Sequence, residues 1–338
     1  MSVFEDKDST AKERKADHIK LAFESQLNEQ ALDQRFYYEP ALTGIPDSNT
    51  DLSKYFLNHR FEIPMWISSM TGGTERAKKI NENLARACHD YGMGMGLGSC
   101  RSLLTSNEFF EDFNVRKWMP GRPLYANLGI AQLAQLIDGN KLHLAEKLVE
   151  DLEANGLIIH INPLQEYLQP EGDMYTAKPV EMLEQLLDKT RLSVIVKEVG
   201  QGFGPESIRQ LMQLPIAALD FGASGGTNFA LLELLRAEAS KKEQLLPLAQ
   251  LGHSAGEMIS FVNELPHPMA CSQIIISGGI QNFLDGFYLM NKSKVPAIYA
   301  QASGFLKHAL EGYDQLCIYI ENQIAGLRAA QAFLKIKD

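Results

Sequence analysis

Residues 123–162 contain one complete strand–helix–strand unit and indicate how the rest of the chain folds. Two strand-like runs, PLYANLG (123–129) and GLIIHIN (156–162), flank the helical pattern GNKLHLAEKLVEDLEANG (139–156). In that pattern Leu142, Leu144, Leu148 and Leu152 recur near the helical period, and a glycine follows as a stop signal. Strands joined through helices in this way are typical of a parallel sheet with helices on its faces.

The same alternation continues on both sides of this unit. Six more strand-like runs are PMWISSM (64–70), MGMGLGS (93–99), VIVKEVG (194–200), AALDFG (217–222), QIIISGG (273–279) and AIYAQAS (297–303). Eight units predict an α/β fold of the (β/α)8 TIM-barrel class, occupying residues 61–338 as a single domain. Residues 1–60 then form an N-terminal extension that we expect to cover the barrel mouth, and an extra C-terminal helix is predicted from Leu306 onward. A ninth candidate strand, LLPLAQLG (245–252), leaves a doubly wound open sheet as the alternative.

Composition and charge exclude several classes of protein. The 338 residues are 45% hydrophobic and 22% charged, which favours a folded chain over a disordered one. The 32 Lys and Arg against 42 Asp and Glu give a net charge of −10, which argues against a nucleic-acid partner. No apolar run reaches the roughly 18 residues of a membrane span. The four cysteines lack metal-binding spacing, so we expect reduced thiols in a cytoplasmic enzyme.

Glycines are concentrated where the predicted strands end. The closely spaced pairs are Gly72-Gly73, Gly225-Gly226 and Gly278-Gly279. Glycine lets a backbone approach a ligand closely and offers its N–H groups to phosphate. In a barrel the carboxyl ends of all strands surround one site, and strands seven and eight commonly build its phosphate-binding part. The pattern therefore predicts a phosphate site, with ordinary tight turns as the alternative.

Polar residues interrupt two apolar strands. Lys197 lies within VIVKEVG, and because a buried lysine needs a partner we expect it to face a bound anion. A salt bridge to Glu198, or to another carboxylate at a strand end, is the alternative. Residues 160–173, HINPLQEYLQPEGD, follow another apolar strand, and their Glu166 is typical of a Mg²⁺ ligand beside a substrate phosphate. A solvated polar loop is the alternative there.

These motifs together resemble a known family. In chain order they are RKADH (14–18), MTGGT (70–74), GSCR (98–101), ANLG (126–129), HINPLQEYLQPEGD (160–173), VIVKEVGQGF (194–203), GASGGTNF (222–229) and SGGI (277–280). The set is similar to that of type 2 isopentenyl diphosphate isomerases, which are FMN-dependent (β/α)8 barrels active with reduced flavin and Mg²⁺. The resemblance implies interconversion of isopentenyl and dimethylallyl diphosphate, NAD(P)H as the reductant of the flavin, and a homo-oligomer, either a tetramer or an octamer.

The resemblance also implies the roles of individual residues. The residues that meet FMN are Ser69, Met70, Thr71, Ser99, Asn127, Lys197, Thr227, Gly278, Gly279, Ile280, Ala302 and Ser303. Those that bind the isoprenoid diphosphate are Arg14, Lys15, His18, Ser99, Arg101, Asn162 and Gln165. Gln165, beside the alkene, is the catalytic residue, and Glu166 holds Mg²⁺. Cys100 stands where the family usually has Gln.

Three other functions compete with this interpretation. A 2-hydroxy-acid oxidase on an FMN barrel needs a histidine base and an arginine near the flavin, and the run at 277–281, SGGIQ, has neither. A thiol mechanism would use Cys100, whose neighbour Arg101 could lower its pKa. A non-catalytic flavin- or phosphate-binding barrel is the third, because fold does not determine function. Adjacent Gln165 and Glu166 argue against that binder.

Overall fold

Strands and helices alternate through most of the chain in the structure, a computed structural model that describes residues 10–69 and 75–337. The strands are β1 (Phe36–Tyr38), β2 (Lys54–Phe56), β3 (His59–Phe61), β4 (Met65–Ile67), β5 (Gly94–Gly96), β6 (Leu124–Gly129), β7 (Gly156–Ile161), β8 (Val194–Glu198), β9 (Ala218–Asp220), β10 (Ile274–Ile276), β11 (Ala297–Gln301) and β12 (Leu334–Ile336). The α-helices are α1 (Ala11–Leu21), α2 (Glu75–Tyr91), α3 (Phe110–Phe113), α4 (Ile130–Asp138), α5 (His143–Asp151), α6 (Pro163–Leu168), α7 (Pro179–Lys189), α8 (Pro205–Leu211), α9 (Phe229–Arg236), α10 (Ala239–Ala249), α11 (Ala255–Asn263), α12 (Phe283–Lys292), α13 (Ser303–Glu311) and α14 (Tyr313–Phe333).

Eight parallel strands close into a barrel in the order β4-β5-β6-β7-β8-β9-β10-β11, with β11 pairing back to β4. The predicted (β/α)8 barrel is therefore confirmed, and the open sheet is wrong. The ninth candidate strand is wrong as well, because its residues 245–249 form the last part of α10. Leu245 and Leu248 there pack on a small apolar cluster around Leu168 and Leu234, which a helix on the barrel surface can cover.

The barrel interior is filled at its amino-terminal end by an apolar layer. Alternate strand residues point inward, and they meet in one buried cluster. Its members on the strands include Trp66, Tyr125, Ile158, Ile195, Ala218, Ile275 and Ile298. The β2–β3 hairpin closes this end, since Phe56 packs edge-to-face on Phe61, which contacts the ring of Trp66. The larger cluster between the strands and the outer helices forms the main core.

The N-terminal segment is tied to the C-terminus by a small antiparallel sheet. In it β1 pairs with β12, so that Phe36 lies opposite Ile336. Helix α1 buries none of its residues. The division at residue 60 and the covering of the barrel mouth stay predictions. The extra C-terminal helix is confirmed as α14, but it begins at Tyr313, because Gly312 (φ +138°) separates it from α13, the eighth barrel helix.

Within the part of the chain that the structure describes, no helix combines the length and apolar character needed to cross a membrane.

Candidate active site

The inward-facing layer at the carboxyl ends of the barrel strands is polar. It lies one inward position above the apolar layer, two residues further along each strand. Its members are Ser68, Asn127, His160, Lys197, Asp220 and Ser277. All but His160, which is partly exposed, are buried. Buried polar side chains are costly unless they are paired or face a ligand, so this layer marks the floor of a site.

Two glycine loops form one wall of the cleft above this floor. Gly225 (φ +103°) and Gly226 follow β9, and Gly278 (φ +85°) and Gly279 (φ +71°) follow β10. A Cβ on Gly278 would lie 2.0 Å from the carbonyl oxygen of Ala223, and one on Gly226 would lie 3.2 Å from the amide nitrogen of Gly279. Only glycine allows the two backbones to approach in this way, and it leaves their N–H groups accessible to an anion.

The two glycine loops, which together form a glycine cradle, face a cavity of about 530 Å³. This volume includes the open mouth of the cavity. Eight of the residues that the sequence assigned to the cofactor line it: Ser69, Lys197, Thr227, Gly278, Gly279, Ile280, Ala302 and Ser303. The Ser69 hydroxyl is buried with no hydrogen-bond partner in residues 10–69 and 75–337. An unpaired buried hydroxyl is expensive, and its position in the cavity wall is one that a polar ligand atom would satisfy.

A second cavity, of about 550 Å³ with its opening, joins the first through shared walls. Ser69, Lys197, Val199 and Phe229 line both. The second also contains the predicted Ser99, Asn127 and Gln165, together with His160. The structure thus brings ten of the twelve predicted cofactor residues to one cleft. The other two, Met70 and Thr71, lie outside the described residues.

His160 is held by a neighbouring strand. Its Nδ1 lies 2.8 Å from Oδ1 of Asn127, and the amide nitrogen of Asn127 donates to the carbonyl of Leu97 at 3.0 Å. Burial of the ring and the positive charge of Lys197 lower the pKa of His160 to about 4. The imidazole is therefore neutral at pH 7, and the residue lines the second cavity.

Lys197 does not form a salt bridge to Glu198, and the strand-end carboxylate in register with it is Asp220 on β9. Its Nζ donates to the backbone oxygen of Glu198 at 2.6 Å. The Glu198 carboxylate turns away and accepts the amide N–H groups of Gly200, Gln201 and Gly202 at 2.7, 2.6 and 2.7 Å. The ammonium remains beside the cleft, as expected of a group that faces a bound anion.

The loop after β7 continues directly into α6, where Pro163 starts the helix. The Nδ2 group of Asn162 donates to Oε1 of Gln165 at 3.0 Å and to Oε1 of Glu166 at 3.1 Å. The other Glu166 oxygen accepts the side-chain amide of Gln169 at 3.0 Å and the backbone N–H of Asp173 at 2.9 Å. The alternative of a solvated polar loop is therefore wrong for Asn162 and Glu166, which are buried and hydrogen-bonded.

Glu233 on α9 is part of this arrangement, and the sequence analysis missed it. It accepts the amide N–H of Gln165 at 3.1 Å and is 3% exposed. Its second oxygen accepts Arg236 at 2.6 Å, and Arg236 also pairs with exposed Glu171 at 2.9 Å. A glutamate within an amphipathic helix carries no signal of its own. Only the packing of α6 on α9 reveals its role.

The predicted diphosphate residues are only partly assembled. Arg101 and Ser99 line a groove that adjoins the cleft. The guanidinium of Arg101 forms a salt bridge to Asp173 at 2.8 Å. Arg14, Lys15 and His18 lie on exposed α1 and line none of these cavities. Their role in binding stays a prediction.

Cys100 is fully buried, and its Sγ lies 3.4 Å from the carbonyl oxygen of Gly98. Burial raises the pKa of this thiol to about 12. A reactive cysteine needs an accessible, low-pKa thiolate, so the alternative of a thiol mechanism at Cys100 is wrong.

The fold and the cleft define a (β/α)8-barrel enzyme with its active site at the carboxyl ends of the strands. No protein-family model matches the chain. The curated isopentenyl-diphosphate delta-isomerase of Hydrogenovibrio crunogenus is 33% identical over 97% of this chain and 94% of its own length. That of Deinococcus radiodurans is 35% identical over 85% and 82%, and that of a Nostoc species 34% over 88% and 84%. The chain therefore belongs to the isopentenyl-diphosphate delta-isomerase family.

Solved structures of similar fold include two mandelate oxidase variants. One, with 2-hydroxy-phenylacetamide, superposes with a TM-score of 0.56 at 15% identity, covering 90% of this chain and 86% of that one. Another, with a monooxide FMN adduct, has a TM-score of 0.55 at 14% identity, covering 90% and 88%. At such identities the likeness shows the shared barrel fold alone.

Proposed function

We propose that this chain interconverts isopentenyl diphosphate and dimethylallyl diphosphate, using reduced FMN and Mg²⁺, with NAD(P)H as the reductant of the flavin. One observation carries the proposal: the Gln165 amide is held between Asn162 and Glu233 at the edge of a cleft that also contains Lys197 and a glycine cradle. An isopentenyl-diphosphate isomerase that uses FMN requires these three features: an amide that orients the substrate, a cation beside the flavin and a glycine cradle for its phosphate.

The cleft fits FMN. The cradle of Gly225, Gly226, Gly278 and Gly279 and the amino terminus of α13 supply N–H groups suited to its phosphate. The unpartnered hydroxyl of Ser69 and the ammonium of Lys197 are suited to the polar edge of the ring. When bound and reduced, FMN supplies an electron-rich ring that stabilises nearby positive charge and exchanges a proton at N5.

The groups around Glu166 fit Mg²⁺. The Oδ1 atom of Asn162 is buried with no hydrogen-bond partner among the described residues, and the Glu166 carboxylate lies 3.1 Å from the amide nitrogen of the same side chain. Carboxylate and amide oxygens suit this hard cation, which completes its octahedron with water and substrate phosphate. Mg²⁺ would also offset the repulsion between a diphosphate and a chain of net charge −10.

The chemistry moves a double bond by one carbon. A proton is added to the terminal alkene carbon and another leaves the carbon on the far side, through a cationic tertiary centre. A carboxamide is a poor acid or base, so Gln165 orients the alkene between these two proton transfers. Its orientation is determined because Asn162 donates to its oxygen and Glu233 accepts from its nitrogen. Phe229 and Val199 in the cleft wall exclude water from the cation.

The cationic side chains bind the diphosphate of the substrate. Arg101 can offer its planar fork to phosphate oxygens after releasing Asp173, a partly exposed partner. Arg14, Lys15 and His18 would join it if α1 moved onto the cleft.

The four unpaired cysteines suit a cytoplasmic location. The exposed apolar side chains of the N-terminal segment, Ile19, Phe23, Leu27 and Ile45, support a homo-oligomer.

An anaerobic assay tests the proposal. Purified protein with FMN, dithionite and Mg²⁺ is incubated with isopentenyl diphosphate in D₂O and followed by NMR. We expect dimethylallyl diphosphate with deuterium incorporated, and we expect its formation to stop on flavin oxidation or with EDTA. NAD(P)H in place of dithionite tests the proposed reductant. Bound FMN without any conversion of the substrate would refute the isomerase assignment.

A further inference from the structure

Three titratable residues form a row across the floor of the cleft. His160 on β7 is in register with Lys197 on β8, and Lys197 is in register with Asp220 on β9. Register partners on neighbouring parallel strands point to the same face, and these positions point into the barrel. His160 is engaged by Asn127 on its other side, through Nδ1 and Oδ1 at 2.8 Å. Lys197 and Asp220 are the lysine and the carboxylic acid that the register brings side by side.

Asp220 is enclosed and only half satisfied. The side chain is fully buried, and Oδ1 accepts the hydroxyl of Ser277, which in turn accepts the backbone N–H of Gly222 at 2.8 Å. The Oδ2 atom has no hydrogen-bond partner in the part of the chain that the structure describes. A carboxylate in this position is stable only beside a cation.

Lys197 is the cation in register with Asp220 on the neighbouring strand, and its Nζ is hydrogen-bonded to the backbone oxygen of Glu198. The carboxylate on its own strand, Glu198, is turned to the amides of 200–202 and does not compete for it. Burial raises the pKa of Asp220, while the ammonium of Lys197 and the hydroxyl of Ser277 lower it. The net effect raises the pKa of Asp220, so the charge of this carboxyl group depends on the ammonium in register with it on β8.

We propose that Asp220 is a positioning residue that acts through Lys197: its carboxylate is the buried counter-ion of this lysine and offsets its field at the cofactor. The inference deepens the proposed function and rests on it as far as FMN is concerned. In this arrangement the strength with which Lys197 favours a reduced, anionic flavin is set by a floor residue that is fully buried and has no surface in either cavity.

The charges of the two residues predict a distinctive pattern of variants. In Asp220→Asn the ammonium is unopposed, so its field favours reduced FMN more strongly than in the wild type. In Lys197→Met the carboxylate is unpaired in a buried site, so it takes up a proton and becomes neutral. In that background Asp220→Asn exchanges one neutral group for another. Its effect on the flavin should then vanish.

Infrared difference spectra test the ion pair without any flavin. On the purified protein freed of FMN, we expect Lys197→Met to gain the C=O stretch of a protonated carboxylic acid, which is absent from the wild type and from the double variant. A wild type that already shows the band, or a Lys197→Met protein that never gains it, overturns the inference. Because the deciding comparison is between the wild type and Lys197→Met, which both retain Asp220, it answers the question even if Asp220→Asn fails to fold.

Flavin binding tests the consequence. We expect Asp220→Asn to raise the ratio of the dissociation constants for oxidised and reduced FMN about tenfold, as one unit charge near the ring would do. In the Lys197→Met background the ratio should stay unchanged. An equal shift in both backgrounds would mean that Asp220 acts through structure alone, and no shift would mean that it carries no charge. If the protein shows the expected infrared pattern but binds no FMN, the proposed function is refuted. The ion pair between Lys197 and Asp220 would still be supported.

Discussion

The side-chain amide of Gln165 donates to the buried carboxylate of Glu233 at 3.1 Å, and this contact joins the loop after β7 to helix α9. Asn162 donates to the oxygen of the same amide at 3.0 Å. Gln165 is thereby held at both ends, with its nitrogen toward α9 and its oxygen toward Asn162 in the loop after β7. A group that only orients its substrate depends on such support.

Removing the charge of Glu233 should slow turnover while leaving the fold intact. A hydrogen bond to a charged group contributes about 1.5–3 kcal/mol, so we expect Glu233→Gln to lower kcat ~10–100-fold. The matched control is Glu171→Gln, because Glu171 binds the same Arg236 from an exposed position and should matter little. Steady-state kinetics with both diphosphates measure this. Equal losses in the two variants would contradict the role given to Glu233.

Changing Glu166 should weaken the response to Mg²⁺. Even residues that only support a metal ligand contribute about 10–100-fold in affinity, so Glu166→Gln should raise the Mg²⁺ concentration for half-maximal activity at least ~10-fold. Exposed Glu171, in the same segment, again provides the control. Titration of activity and of thermal unfolding with Mg²⁺ would separate binding from catalysis. If Glu166→Gln and wild type respond alike, the metal lies elsewhere.

The protein should lose stability on mild acidification because of His160. Its pKa is lowered from 6.5 to about 4 in the folded protein. Between those values the unfolded chain binds a proton that the folded chain does not, so the free energy of unfolding falls as the pH falls through this window. Urea unfolding at several pH values should show a smaller fall for His160→Gln than for wild type. Exposed His89→Gln should behave as wild type.

Adding one methyl group to the cradle should damage FMN binding. Gly278 has φ +85°, and a Cβ there would lie 2.0 Å from the carbonyl oxygen of Ala223. We therefore expect Gly278→Ala to shift the backbone, weaken FMN binding and lower the stability. Gly256 is the control, since it lies inside α11 with open space around it, and Ala there should stabilise by about 0.5–1 kcal/mol. Flavin fluorescence and urea unfolding would show both effects, and unchanged FMN affinity in Gly278→Ala would refute the cradle.

Much of the fold could be predicted because its signals are local. Apolar runs such as 156–162 and 194–200 predict strands because they are short, rich in β-branched residues and bounded by glycine. The misassigned run at 245–252 was ambiguous, since short apolar runs suit a strand or a helix equally well. Its packing on Leu168 and Leu234 decided for the helix α10. The start of the last helix was likewise decided by the backbone of Gly312.

The sequence by itself determined the eight strand–helix units, the glycine loops at the strand ends and the polar segment after β7. Each of these features depends only on residues that are adjacent in the chain. Tertiary structure alone decided which distant side chains meet. Glu233 reaches Gln165 because α6 packs on α9, and Asp220 lies beside Lys197 because β8 and β9 pair in one register. Such contacts depend on the closure of the barrel, which brings together residues that no local pattern relates.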